Sequence, residues 1–166
     1  AWGIDDLEDD VFYLYDGDKW YADRQGLKKD IYAAFGLGID QVFIVGEGGA
    51  AYLYDGQGFQ PQMLPVSTDM FGIWGSGAKD IYAVGAKGAV VRFDGETWNQ
   101  IDIPDLKGRH LNTVGGSGPD NIYIGGQYIA EHFDGTIWTK VNAGMNIRAI
   151  LCGDSGCYCA GTFGGF

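Results

Sequence analysis

Asp80-Ile81-Tyr82-Ala83-Val84-Gly85, a short loop, Val90-Val91-Arg92-Phe93, and then Asp94-Gly95-Glu96-Thr97-Trp98 form the stretch from which the fold can be read. Ile81 to Val84 is an apolar run of strand formers stopped by Gly85. Val91 and Phe93 alternate with Val90 and Arg92, which is a strand period. Asp94-Gly95 is a turn signal between two extended segments, since Gly takes positive φ freely and Asp tolerates it better than most residues. Trp98 then supplies a large apolar plate.

The unit recurs. The Asp-Gly turn stands at Asp16, Asp55, Asp94 and Asp134, at spacings of 39, 39 and 40 residues. Tyr15, Tyr54, Phe93 and Phe133 precede the Asp, and Trp20, Phe59, Trp98 and Trp138 follow it by four residues. Upstream lie matched strands ending in glycine: Val42–Gly46, Ile81–Gly85, Ile122–Gly126 and Cys157–Gly161. Another set precedes them, ending at Gly36, Gly75, Gly116 and Gly153. Four short strands in about 40 residues are the signature of a β-propeller blade. A blade cannot bury both faces alone, so blades must stack. A sandwich or β-solenoid with only coincidental similarity is the alternative, and a spacing held over three intervals weighs against it.

With the strands of a blade called A (innermost) to D (outermost), the clearest complete blade is Met70–Gly75, Ile81–Gly85, Val90–Phe93 and Thr97–Ile101. The blade before it is 31–36, 42–46, 50–54 and 59–63, and the blade after it is 110–115, 122–126, 129–133 and 137–141. The N-terminal region offers C (11–15) and D (from Trp20), and the C-terminal region offers A (146–152) and B (157–161). The expectation is an all-β propeller of about four four-stranded antiparallel blades in a single domain, residues 1–166. Its closing blade is shared by the two termini, 11–15 pairing with 157–161, which removes open sheet edges. A four-blade segment of a longer propeller is the competing reading. The chain starts with Ala1, as a processed or trimmed form would, and shows no signal peptide.

Composition narrows the class. With 166 residues the chain can bury a substantial core. Its 29 glycines and 4 prolines follow no triplet period, so they mark turns. A net charge of −11 argues against nucleic acid and against an anionic membrane surface. It is also a common solubility device. No apolar run approaches the ~18 residues that span a bilayer, so membrane insertion is not expected.

The phrase Trp74-Gly75-Ser76-Gly77, Asp80 to Gly85, Arg92-Phe93-Asp94-Gly95 and Trp98, echoed by Gly116-Ser117-Gly118-Pro119-Asp120-Asn121-Ile122-Tyr123, resembles the propeller repeats of bacterial secreted and surface proteins. The resemblance covers nearly the whole chain. It implies a propeller and an extracellular, cell-surface or periplasmic setting. Arg92 to Trp98 is also distantly similar to the Asp-box (BNR) turn of sialidase-like propellers. In that motif a Ser or Thr stands where Arg92 does, and a residue separates Asp from Gly.

Several constellations have residue types suited to chemistry. The four Asp-Gly turns lie on different blades, so they read as scaffold, with Asp accepting hydrogen bonds from its own turn. The first B–C loop carries about four extra residues and holds Asp5, Asp6, Glu8, Asp9 and Asp10, a candidate Ca²⁺ loop without EF-hand spacing. The sequence calls for no other cofactor. Cys152, Cys157 and Cys159 match no zinc spacing. Cys152 ends an A strand and Cys157 opens its B strand, which suits a disulfide, leaving Cys159 opposite Ile150 or thereabouts as a buried thiol. His132 lies in a C strand and His110 opens an A strand, and neither has a recognisable nucleophile partner.

The D–A and B–C loops share one face of a propeller. Besides the acidic loop, they hold Arg24, Asp69, Asp105, Lys107, Arg109, His110 and Arg148. The expectation is a recognition module for a protein partner. A glycan is the second candidate, with Phe163 the one loop aromatic available for stacking. A sialidase-type hydrolase is third, for want of a catalytic set.

Overall fold

The computed structural model describes residues 12–15, 17–23, 27–153 and 155–163. Among them every extended element is antiparallel, and the chain is all-β apart from short 3-10 turns at Glu47–Gly49, Ala86–Gly88 and Pro104–Leu106. A first hairpin joins β1 (Phe12–Tyr15) to β2 (Trp20–Asp23). Blade 1 is β3 (Ile31–Gly38), β4 (Gln41–Gly46), β5 (Ala51–Tyr54) and β6 (Phe59–Pro61). Blade 2 is β7 (Met70–Gly77), β8 (Asp80–Gly85), β9 (Val90–Phe93) and β10 (Trp98–Gln100). Blade 3 is β11 (Leu111–Gly118), β12 (Asn121–Gly126), β13 (Ile129–Phe133) and β14 (Trp138–Val141). A last hairpin joins β15 (Asn146–Gly153) to β16 (Gly156–Thr162).

Within each blade, strand order follows chain order. The inner strands lie side by side, β3 against β7, β7 against β11 and β11 against β15. This is the propeller architecture. The inner strands run two residues further than their apolar runs do, because Gly77 pairs with Asp80 and Gly118 with Asn121 in tight A–B hairpins. Two hairpins stand outside these blades, β1–β2 and β15–β16, the second with its inner strand β15 beside β11. They stand as two two-stranded sheets. Pairing of residues 11–15 with 157–161 is not among the strand pairs of the described residues.

Two apolar clusters fill the boundaries between the complete blades. One joins Phe43 and Val45 to Met70, Ile81 and Val91; the other joins Tyr82 and Val84 to Leu111, Val114 and Ile122. Full burial of side chains of this size stabilises by about 1.5–3 kcal/mol each. Blade-to-blade approach is close enough to require glycine. A Cβ on Gly75 would lie 2.9 Å from Cε1 of Phe35 in blade 1, and glycine leaves room for that ring.

The Asp-Gly corners are built alike. Asp94 Oδ1 accepts from the backbone N–H groups of Glu96 (2.9 Å) and Thr97 (2.8 Å), and Gly95 takes φ +102°. Asp55 Oδ1 accepts from Gln57 and Gly58, and Asp134 Oδ1 from Thr136 and Ile137. Asp16 lies outside the described residues. Across each corner the two flanking rings meet at 5.1–5.3 Å: Tyr15–Trp20, Tyr54–Phe59, Phe93–Trp98 and Phe133–Trp138. The repeated aromatics thus hold C to D, and the turn carboxylates are committed to the backbone.

Candidate functional site

The B–C turns and D–A links do meet on one face, held by backbone donors. Glu47 N–H donates to the Asp30 carbonyl, Ala86 N–H to that of Asp69, and Gln127 N–H to that of His110, each at 2.9 Å. Gly88 N–H donates to the Arg109 carbonyl and Gly108 N–H to that of Lys87. Each B–C turn is therefore fastened to the link that opens its own blade, and the blade 2 turn also to the link that opens blade 3. Blade 3 replaces the 3-10 turn with the shorter Gln127-Tyr128 connection, and Tyr128, at φ +56°, is exposed on this face.

The inner strands carry an irregularity at the same place on this face. The register shifts between Ile31 and Ala33, Met70 and Gly72, Leu111 and Thr113, and Ile147 and Ala149. A bulge re-aims the extra residue. The bulged positions are Tyr32, Phe71, Asn112 and Arg148. Tyr32 and Phe71 stack with centroids 5.4 Å apart and planes at 22°. Phe71 then meets the His110 ring at 4.6 Å. Tyr32 is 43% exposed, Phe71 half-buried and His110 exposed. Asn112 Nδ2 donates to Asn146 Oδ1 and to the Ile147 carbonyl, tying blade 3 to β15. A row of three rings from three consecutive links or inner strands therefore crosses the loop face.

The residues singled out from sequence fall into three groups. Asp69, Arg109, His110 and Arg148 belong to this row and its margin. Asp69 Oδ1 accepts from Gly48 N–H at 2.8 Å, and Arg148 takes the bulged position of β15, exposed. Asp105 and Lys107 lie further out on the β10–β11 link, where Lys107 Nζ pairs with Asp102 at 3.0 Å, both side chains about two-thirds exposed. Asp5, Asp6, Glu8, Asp9, Asp10 and Arg24 lie outside the described residues. Among the described residues no cluster of His, Cys, Asp or Glu is arranged to hold a metal ion. Phe163 is 76% exposed, as its loop position implies, but it is not the one exposed aromatic on the loops, since Tyr128 is 52% exposed.

His132 has a structural partner set on the opposite, A–B face. Its Nε2 meets Asn121 Oδ1 at 2.9 Å and its ring stacks on Tyr123 at 4.3 Å, while Asn121 Nδ2 donates to Ser117. Blade 2 builds the same cluster with charge. Arg92 Nε donates to Asp80 Oδ1 at 2.7 Å and lies over the Tyr82 ring, and Ser76 donates to Asp80. Burial, with the nearby Asp80 carboxylate adding, pushes the Tyr82 phenol up to about 12. Both clusters lock A–B hairpins.

Cys152 and Cys157 form the disulfide, across a Cα–Cα distance of 4.0 Å. Cys159 pairs in register with Ile150 but is exposed, not buried. The reason is the missing neighbour: β16 has only β15 beside it among the described strands, so its faces stay open. Tyr158 at 68% exposed follows from the same cause.

No protein-family model matches this sequence, and no curated protein does. Solved structures do match, among them one described as "YCF48 bound to D1 peptide". It aligns with a TM-score of 0.61 at 18% identity, over 77% of this chain and 46% of that one. The chain thus spans less than half the length of that structure, and what the two have in common is the propeller fold.

Proposed function

We propose that this chain is a protein-recognition module that engages a peptide segment of its partner across the loop face. The observation that carries this reading is the Tyr32–Phe71–His110 row. Stacked rings on rigid inner strands offer large contact area at little cost in side-chain entropy, which is what interface anchors require. Asp69, Arg109 and Arg148 supply a polar margin of mixed charge around it. The YCF48 structure, by its description, has a peptide bound to a propeller, which supports the class of partner. The disulfide and the resemblance to bacterial secreted repeats favour an extracellular or periplasmic setting. In this reading Asp5, Asp6, Glu8, Asp9 and Asp10 are candidate ligands for Ca²⁺.

A glycan is the second reading, because Tyr32 and Phe71 are also the kind of surface on which a sugar ring stacks. A displayed linear-peptide library and a glycan array, each probed with wild type and Phe71→Ala, separate the two. Enriched peptides that no longer bind Phe71→Ala support the proposal. Glycan hits lost in Phe71→Ala, with no peptide enriched, overturn it in favour of the second reading.

A further inference from the structure

Glu131 occupies a place that the fold reserves for apolar side chains. In register it faces Ile124, as Val91 faces Ala83 in blade 2 and Tyr52 faces Ile44 in blade 1. Val91 is fully buried and Tyr52 nearly so. Glu131 is equally sequestered at 2% exposed, yet its Oε1 has no hydrogen-bond partner among the described residues. A carboxylate so placed is costly unless something compensates it. Lys140 stands opposite it across the β13–β14 pair, but no ion pair joins them among the described residues.

Glu131 lines a crevice of about 270 Å³ where the β10–β11 link crosses blade 3. Asp102, Pro104, Asp105, Trp138 and Lys140 form much of the rest of the wall. The corresponding crevice between blades 1 and 2 is lined by Met63, Leu64, Pro65 and Trp98, and its one carboxylate, Glu96, is exposed, not buried. Proline and tryptophan recur at matching places, while Asp102 stands where Met63 does and Glu131 where Val91 does. The scaffold is thus shared and its charge has changed. Burial, reinforced by the Asp105 carboxylate and opposed by Lys140, raises the pKa of Glu131, so the site favours whatever relieves that charge.

We propose that this crevice is a subsite for a guanidinium group, an arginine side chain of the partner, an inference that rests on the protein-binding reading. A guanidinium is planar, stacks on an indole face and carries enough donors to serve Glu131 and Asp105 together. Its methylene stem suits Pro104 and Ile103. With no metal-holding cluster among the described residues, an organic cation fits better than a metal ion.

Titration of ¹⁵N-labelled protein with N-acetyl-L-arginine amide tests this without any partner, through the Trp138 indole N–H resonance. The expected result is a saturable shift at Trp138, at least about tenfold weaker in Glu131→Gln, as loss of a charge-assisted hydrogen bond implies. Glu131→Val, which installs the blade 2 residue, guards against a folding artefact and should lose the shift with the rest of the spectrum intact. Phe71→Ala should retain it, so a failure of the loop-face reading is told apart from a failure here. No shift at Trp138, an equal shift in Glu131→Gln, or equal binding of N-acetyl-L-lysine amide would overturn the guanidinium subsite.

Discussion

Trp74 of blade 2 lies directly over Gly116 of blade 3: a Cβ added to Gly116 would stand 2.7 Å from Cη2 of the indole and 2.5 Å from the Asn121 carbonyl oxygen. The ring, at the blade boundary, can shift, but the backbone oxygen, in blade 3's own β11–β12 hairpin, cannot, so even one methyl group is overpacked. Gly116→Ala should destabilise by about 1–3 kcal/mol, the usual cost of overpacking. Chemical denaturation measures it, and a midpoint equal to that of wild type would mean that neither the hairpin nor the blade boundary is packed this closely around Gly116.

The three turn carboxylates give a pH dependence of definite sign. Backbone N–H donors hold Asp94 below the usual carboxylate value (Thr97 first, then Glu96). Gln57 and Gly58 do the same for Asp55, and Ile137 and Thr136 for Asp134. A depressed folded-state pKa means stability that is present above the unfolded-state value and is lost as pH falls through the folded-state value. Asp94→Asn should lower Tm at pH 7, with the gap to wild type closing as pH falls through the acid range. A gap that stays constant down to pH 2 would assign the loss to something other than the carboxylate.

Asp80–Arg92 in blade 2 and Asn121–His132 in blade 3 do the same structural task with different chemistry. Asp80→Asn and Arg92→His should each destabilise, and the double substitution, which copies the blade 3 pair, should recover part of the loss. Arg92 is half-exposed, so a coupling of about 0.5–1 kcal/mol is expected from a double-mutant cycle. Strict additivity would show that the two side chains act independently.

The cysteines predict a countable result. Thiol titration of the native, unreduced protein should find one reactive group, Cys159, without denaturant, because that side chain is exposed. Reducing Cys152–Cys157 should cost less than about 3 kcal/mol, since the loop it closes is short. A second native thiol would remove the disulfide and, with it, an argument for an oxidising compartment.

Much of this architecture is legible in the chain because it is local and repeated. The Asp-Gly corners, their flanking aromatics and the Cys152–Cys157 contact across a short hairpin each lie within a few residues, and spacing alone reveals them. Tyr32 and Phe71 read simply as strand residues, since nothing in their neighbourhood announces the bulge that re-aims them. Their partnership with His110 spans three blades and exists only once the inner strands lie side by side. Glu131 was hidden differently. It sits in a strand next to His132, and only alignment by register with Val91 and Tyr52 shows a charge at an apolar position. Cys159 reads as buried from the sequence because the spacing implies a covering strand, and it is exposed because no strand among those described covers it.

The Tyr32–Phe71–His110 row is the proposed binding surface, and one calorimetric comparison tests that most directly. A peptide selected from the linear library on wild-type protein is titrated into wild type and into Phe71→Ala, with Tm recorded for both. Phe71 is half-buried at the end of a strand, so its truncation should leave Tm within a few degrees of wild type while weakening the peptide by at least about tenfold, as loss of an aromatic anchor does. Equal affinity for the two proteins would contradict the central claim and move the binding surface elsewhere on the propeller.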